Sequence, residues 1–258
     1  MSNSQSDTTQ HINVKAEDLP DLLVSLKDEE KKIIIHVTEE ITWQIREDIQ
    51  SAFYRRGSDL CEMDISLDLS KAVWDSLYSV NNWLVRSIFF PDGVKDIWGD
   101  CISSPSLEEI IVSETNPTRC SVDGVLYNKD KTILIRYPPA KEGSFKIPDT
   151  VTTISAYAFS GCGCLTEIII PESVTVVEDS AFESCYLLKE INIPNSVTEL
   201  GAGVFEECHS LEQIRLPDSI IKMEAKTFYN CKNLKSVIFS KSFSEIPDTT
   251  LLGCESLE

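Results

Sequence analysis

Cys162, Cys185, Cys208, Cys231 and Cys254 follow one another at a constant interval of 23 residues. The rest of the C-terminal half keeps step. Blocks begin at Ile147-Pro148, Ile170-Pro171, Ile193-Pro194, Leu216-Pro217 and Phe239-Ser240. A repeat of this length is the mark of a solenoid or an array. One such unit cannot bury its apolar side chains alone. Stacking covers them, and each buried aliphatic or aromatic side chain then contributes about 1.5–3 kcal/mol before entropy is subtracted.

Reading down the blocks gives the core directly. One column runs Val151, Val174, Val197, Ile220, Phe243; the next runs Ile154, Val177, Leu200, Met223, Ile246. Phe159, Phe182, Phe205, Phe228 and Leu251 precede the cysteines. Leu165, Leu188, Leu211, Leu234 and Leu257 follow them, and Ile168, Ile191, Ile214 and Val237 complete the set. In Leu165 to Ile170 the alternation predicts a strand with Ile168 and Ile170 inward and Glu167 and Ile169 outward. The proline that follows cannot donate to a ladder and closes the strand. Ala181-Phe182 to Cys185 is expected to form the opposite side as a turn or short helix. With a single strand-like run per repeat, a parallel β-helix is the less favoured solenoid.

Ile193-Pro194 to Thr198, the Ala-Phe-x-x-Cys run and Leu165-x-x-Ile168 resemble the BspA-like leucine-rich repeats. The resemblance is strong over 147–258 and extends weakly to 63–112. There Phe90-Pro91-Asp92-Gly93-Val94 opens a copy that ends at Leu107, Ile110 and Val112 and lacks the cysteine. Val85, Ile88 and Phe90 close a still more degenerate copy. The resemblance implies an α/β solenoid with a concave parallel β-sheet. It also implies a non-enzymatic protein-binding module, in a family whose members are often bacterial or protist surface proteins. Those members serve adhesion to host or matrix proteins and cell–cell contact.

Ahead of the repeats the periodicity changes. Residues 1–14 are polar and expected to be a disordered tail. Residues 15–62 read as an N-terminal α/β capping unit. Within it, a short helix over Ala16–Lys27 carries Leu19, Leu22, Leu23 and Leu26 on one face. A strand follows over Lys32–Val37, and then a helix over Thr38–Arg56, stopped by Gly57. A second strand, Met63–Leu69, completes a βαβ unit and is expected to lie against the first of the degenerate repeats over 63–112. Residues 113–146 interrupt the series as a β-hairpin insert. Asp123-Gly124 is a tight-turn signal, and Val125–Tyr127 and Thr132–Tyr137 read as paired strands that continue the sheet. A Val-Asp-Gly-Val-Leu-Tyr hairpin is similar to one found between repeats in BspA-like proteins.

The net charge is −19. It disfavours nucleic acid and anionic membranes, both of which require compensating lysine and arginine, and it suits either a solvated acidic surface that keeps the chain soluble or a basic protein partner. No apolar run is long enough for a transmembrane helix, and the polar start lacks the apolar stretch of a secretory signal. The chain as written therefore reads as cytoplasmic, as exported by another route, or as a protein whose signal has been removed. It stops one residue past Leu257, without a polar capping repeat. The native protein is accordingly expected to be longer, or to self-associate through this open end.

Chemistry is sparse. Nine cysteines is an odd count, and the periodic ones are better read as small buried hydrophobes than as disulfides. Cys208-His209 suggests a nucleophile pair. However, the neighbours of the other column cysteines are Gly163, Tyr186, Lys232 and Glu255, as expected of a surface turn. Cys162 and Cys164 lack a second pair at zinc spacing. No catalytic group, metal or cofactor is expected. The outward strand positions instead form three columns: Glu108, Thr166, Lys189, Glu212, Lys235; then Glu109, Glu167, Glu190, Gln213, Ser236; then Ile111, Ile169, Asn192, Arg215, Ile238. In-register strands would set these about 4.8 Å apart per step. A partner is expected on this concave face, through Glu109, Glu167, Ile169, Lys189, Glu190, Asn192, Glu212, Gln213, Arg215 and Ile238. Glu167 over Glu190 places like charges opposite one another, which is unfavourable.

Overall fold

A computed structural model describes residues 9–26, 32–37, 48–49, 51–52, 64–69, 85–90, 92, 102, 104–243 and 245–258. The chain opens with β1 (Thr9–Val14), a 3-10 turn (Ala16–Asp18), α1 (Leu19–Ser25), β2 (Lys32–Val37) and β3 (Asp64–Asp68). β4 (Ser87–Phe90) and β5 (Glu109–Val112) complete a parallel sheet in the order β1-β2-β3-β4-β5. The capping strands thus continue straight into the degenerate repeats. Thr9–Val14, expected within a disordered tail, is the edge strand of this sheet, paired residue for residue with Lys32–Val37. Ile12 and Val14 alternate as a strand needs, but two apolar residues are too few to separate a strand from a polar tail. Of the helix expected over 38–56, residues 48–49 and 51–52 are helical, with Ile49 and Ala52 buried; the remainder, Gly57 included, lies outside the described residues.

β6 (Arg119–Val122), β7 (Val125–Asn128) and β8 (Ile133–Arg136) form an antiparallel meander, so the expected hairpin has a third strand. Asp123 and Gly124 make its first turn at φ +50° and +77°. A side chain at Gly124 would press on Glu109, with a Cβ 3.3 Å from that residue's Cα.

After the meander come β9 (Gly143–Lys146), β10 (Thr153–Ile154), β11 (Leu165–Ile169), β12 (Val176–Val177), β13 (Glu199–Leu200), β14 (Gln213–Arg215), β15 (Lys222–Met223) and β16 (Ser236–Ile238). These fall into two rows around one core. The first holds the pairs β9–β11 and β14–β16. The second is continuous: β15-β13-β12-β10, extended by β8-β7-β6. The expectation of one strand per repeat is therefore corrected. The residue pairs ending in Ile154, Val177, Leu200 and Met223 are themselves extended and hydrogen-bond from repeat to repeat, as Glu178 N–H does to the Ile154 carbonyl at 3.0 Å. The solenoid is β throughout the described repeats, and the helices among the described residues all lie in the N-terminal unit, so helix is a minor part of the α/β description.

The third side of each repeat is a turn. Tyr157, Ser180, Gly203, Lys226 and Thr249 all have positive φ, as do Gly161, Ser184, Glu207, Asn230 and Gly253. Between these two left-handed positions lies the phenylalanine, whose N–H bonds to the next repeat: Phe159 to Ala181 at 2.7 Å, Phe182 to Val204 at 2.9 Å, Phe205 to Thr227 at 2.8 Å. The rings stack at 5.0 Å (Phe159–Phe182), 5.5 Å (Phe182–Phe205) and 5.6 Å (Phe205–Phe228), and Tyr137 extends the stack at 5.3 Å from Phe159.

The cysteine column lies beneath these rings, and its thiols are free. From Cys185 onward each points at the phenylalanine carbonyl of the preceding repeat, as Cys162 does at that of Tyr137: Cys185 to Phe159 at 3.3 Å, Cys208 to Phe182 at 3.1 Å, Cys231 to Phe205 at 3.0 Å. Those carbonyls already accept a backbone N–H, as Phe159 does from Cys162, so the thiol fills the second lone pair. A small apolar side chain with a weak donor fits the place. Burial pushes Cys162 and Cys208 up from 9.0 to about 12 and Cys185 well above 9.0. A thiol whose folded value is raised stabilises the fold fully below its unfolded value. That stability is lost as pH rises from 9 towards 12. Iodoacetamide at pH 8 is expected to leave Cys185 and Cys208 unmodified in the folded protein and to modify both in urea, as read by mass spectrometry. Modification of the folded protein at the rate of a free thiol would contradict this packing.

Candidate binding face

The outward positions of the first row follow from the alternation. In β11, Leu165 and Ile168 are buried while Thr166, Glu167 and Ile169 are exposed. In β14, Ile214 is buried between exposed Gln213 and Arg215. All ten residues expected on the binding face are exposed. Seven of them, Glu167, Ile169, Glu190, Asn192, Gln213, Arg215 and Ile238, line one groove of about 540 Å³, with Ser236, Ile168, Ile170, Ile191 and Ile214. Ile169 and Ile238 are 48% and 53% exposed, so the groove carries apolar surface at both ends. Three strand steps, about 14 Å, separate them.

The other three lie elsewhere. Lys189 and Glu212 stand outside the groove wall. Glu212 accepts a hydrogen bond of 2.7 Å from Lys235, which holds its carboxyl below the ordinary 4.5. Glu109 is separated from Glu167 by the meander. Gly124 offers its carbonyl to Ile110 N–H at 2.9 Å, so the hairpin turn sits beside β5 where a repeat strand would otherwise follow. Glu109 instead shares a depression with Glu108, Asp123 and Lys141. The single column through Glu109 is thus interrupted.

The strands beneath the groove differ from expectation too. Leu188 to Ile193 keeps the alternation, with Ile191 and Ile193 buried and Glu190 and Asn192 exposed. It forms no ladder with β11 or β14; Glu212 N–H reaches the Lys189 carbonyl at 3.2 Å. The sheet divides where Glu167 faces Glu190, and like charges set opposite each other oppose close pairing.

Beyond the second row lies a groove of about 480 Å³ that the sequence columns did not indicate. It is walled by Glu178, Asp179, Glu199 and Glu224, with Lys222 paired to Glu224 at 3.0 Å. The signal was present in the outward residues of the short strands, but those strands were not expected. Cys208 and His209 do not form a nucleophile pair: the thiol is turned into the core towards Phe182, and the imidazole packs on Tyr186 at 5.4 Å. No helix among the described residues is long and apolar enough to cross a membrane.

Comparison with known proteins agrees with this architecture. A family model described as the BspA type leucine rich repeat region matches residues 141–258 in six copies. Among solved structures, a leucine-rich cell surface protein from Faecalibacterium prausnitzii is similar at a TM-score of 0.65 and 22% identity, over 88% of this chain and 63% of that one. The pneumococcal vaccine antigen PcpA is similar at 0.65 and 22%, over 96% of this chain and 55% of that one. A leucine-rich repeat protein from Eubacterium ventriosum is similar at 0.52 and 24%, over 86% and 68%. At these identities the likeness is one of fold, and the chain spans less than two thirds of the first two proteins. No curated protein matches. With its 23-residue period, its stacked Phe and Cys columns and this match, the segment 141–258 is a BspA-type leucine-rich repeat region.

Proposed function

We propose that the chain is a non-enzymatic protein-binding module of the adhesion or surface-recognition type, and that it holds a protein partner in the groove over β11, β14 and β16. The observation that carries this reading is the groove itself. Two half-exposed isoleucines stand at its ends, with Glu167, Glu190 and Arg215 between them. Apolar anchors ringed by polar groups are what a protein interface uses. A fold neighbour described as a cell surface protein supports the same reading. The partner is a host or matrix protein with a basic contact surface for Glu167 and Glu190.

The test is a panel of matrix proteins on a sensor surface, probed with the wild type and with a Glu167→Lys, Glu190→Lys, Arg215→Glu variant. These side chains are exposed, so the core is untouched. A partner is expected whose affinity drops about 30-fold or more, the effect of losing about 2 kcal/mol at interface centres. Equal binding by both proteins would overturn the assignment of the groove.

The acidic groove of the second row favours another reading, an intracellular scaffold for a basic protein partner. Salt separates the two. Binding through Glu178, Asp179, Glu199 and Glu224 weakens steeply as ionic strength rises, whereas binding anchored on Ile169 and Ile238 loses only the part due to Glu167 and Glu190 and keeps an apolar remainder at high salt.

A further inference from the structure

His11, His36 and Asp68 stand on β1, β2 and β3, ahead of the 23-residue repeats, and meet on the outward face of the N-terminal sheet. His36 Nδ1 lies 2.6 Å from Asp68 Oδ2, and His36 Nε2 lies 3.1 Å from His11 Nδ1. A carboxylate only accepts, so His36 carries a proton on Nδ1, and in its neutral form the ring presents a lone pair at Nε2. In that form His11 Nδ1 is the donor to it. The ring centroids are 5.4 Å apart and the planes within 13°. With facing nitrogens only 3.1 Å apart, the two rings must lie edge to edge, each nitrogen aimed at the other.

We propose that His11 and His36 together bind one borderline transition-metal ion of the Zn²⁺ type, in the place of the proton they now share. Two cis nitrogens on a tetrahedral zinc with bonds of about 2.0–2.1 Å lie about 3.3 Å apart, close to the separation already present. Both rings must tilt by roughly 35° so that their lone pairs meet at the ion rather than at each other, the exposed His11 by a swing of its side chain and the half-buried His36 by a pivot about its bond to Asp68. His11 moves its proton to its other nitrogen, Nε2, so no net proton is released. Asp68 holds His36 as carboxylates hold metal-bound histidines elsewhere, fixing the tautomer and raising ligand basicity. Among the described residues no three His, Cys, Asp or Glu side chains converge on one metal position. The ion accordingly takes two protein ligands and completes its shell with water. The chain's charge of −19 favours the cation, and the bound ion ties the edge strand β1 to β2.

The probe is Zn²⁺, titrated calorimetrically into the full chain and into His11→Ala and Asp68→Asn variants. Both variants keep every cysteine, so any thiol binding is common to all three. One equivalent is expected in the wild type, lost in His11→Ala and weakened about tenfold in Asp68→Asn, the usual effect of removing a supporting carboxylate. Identical isotherms for wild type and His11→Ala would overturn the site. Imidazole ¹⁵N NMR on the wild type supplies a reading independent of any variant. Added zinc should shift His11 Nδ1 and His36 Nε2 together, and unshifted resonances would also overturn it.

Discussion

Phe182→Ala is expected to lower stability by about 3–5 kcal/mol, the range for removing a fully buried aromatic ring. Phe182 is 0% exposed and stacked on both faces, 5.0 Å from Phe159 and 5.5 Å from Phe205. Its neighbours cannot collapse into the space, because backbone bonds fix the rungs on either side: Phe159 N–H to Ala181 and Phe182 N–H to Val204. The vacancy would therefore remain as a cavity. Phe182→Leu is expected to lose far less, since Leu251 already occupies this column in the last repeat. Urea denaturation checks both. Stacked repeats need not unfold in one step, so hydrogen exchange should follow each segment, with protection lost first around 159–208. A loss below 1 kcal/mol for Phe182→Ala would show that the stack is not the source of stability described.

Leu126→Ala and Leu134→Ala are each expected to cost about 2–5 kcal/mol, but in different halves of the molecule. β7 and β8 of the meander are buried on both faces and divide two cores. Along β7, Val125 and Tyr127 pack into the repeat core, while Leu126 between them packs into the N-terminal core. Along β8, Leu134 belongs to the repeat core and Ile135 to the other. Arg136, fully buried, donates a hydrogen bond to the Tyr157 carbonyl and fastens the meander to the first repeat turn. Hydrogen exchange should show Leu126→Ala loosening β2 to β5 and Leu134→Ala loosening the repeats from 147 onward. Equal loosening of both halves by either variant would mean that the two cores act as one.

Much of this was legible beforehand. The columns of Val, Ile, Phe, Cys and Leu named the repeat core because each repeat touches mainly its neighbours, so a constant spacing in sequence becomes a stack in space. The outward columns likewise located seven residues of the groove. Other features had no periodic signature. The second row of strands is two residues long, too short for an alternation to show. The displacement of Glu109 depends on where the Asp123-Gly124 turn docks. The seam at Leu188–Ile193 depends on pairing between chain segments rather than on either segment's own pattern.

What the sequence by itself determined, then, is the solenoid, its core and the face it offers, since all three repeat every 23 residues and arise from nearest-neighbour stacking. Only the tertiary structure decided that the meander separates two cores, that the first row of strands divides, and that His11, His36 and Asp68 meet. Each of these rests on how strands from separate chain segments pair. Their register is chosen by the combined burial of both partners and cannot be read from one strand alone.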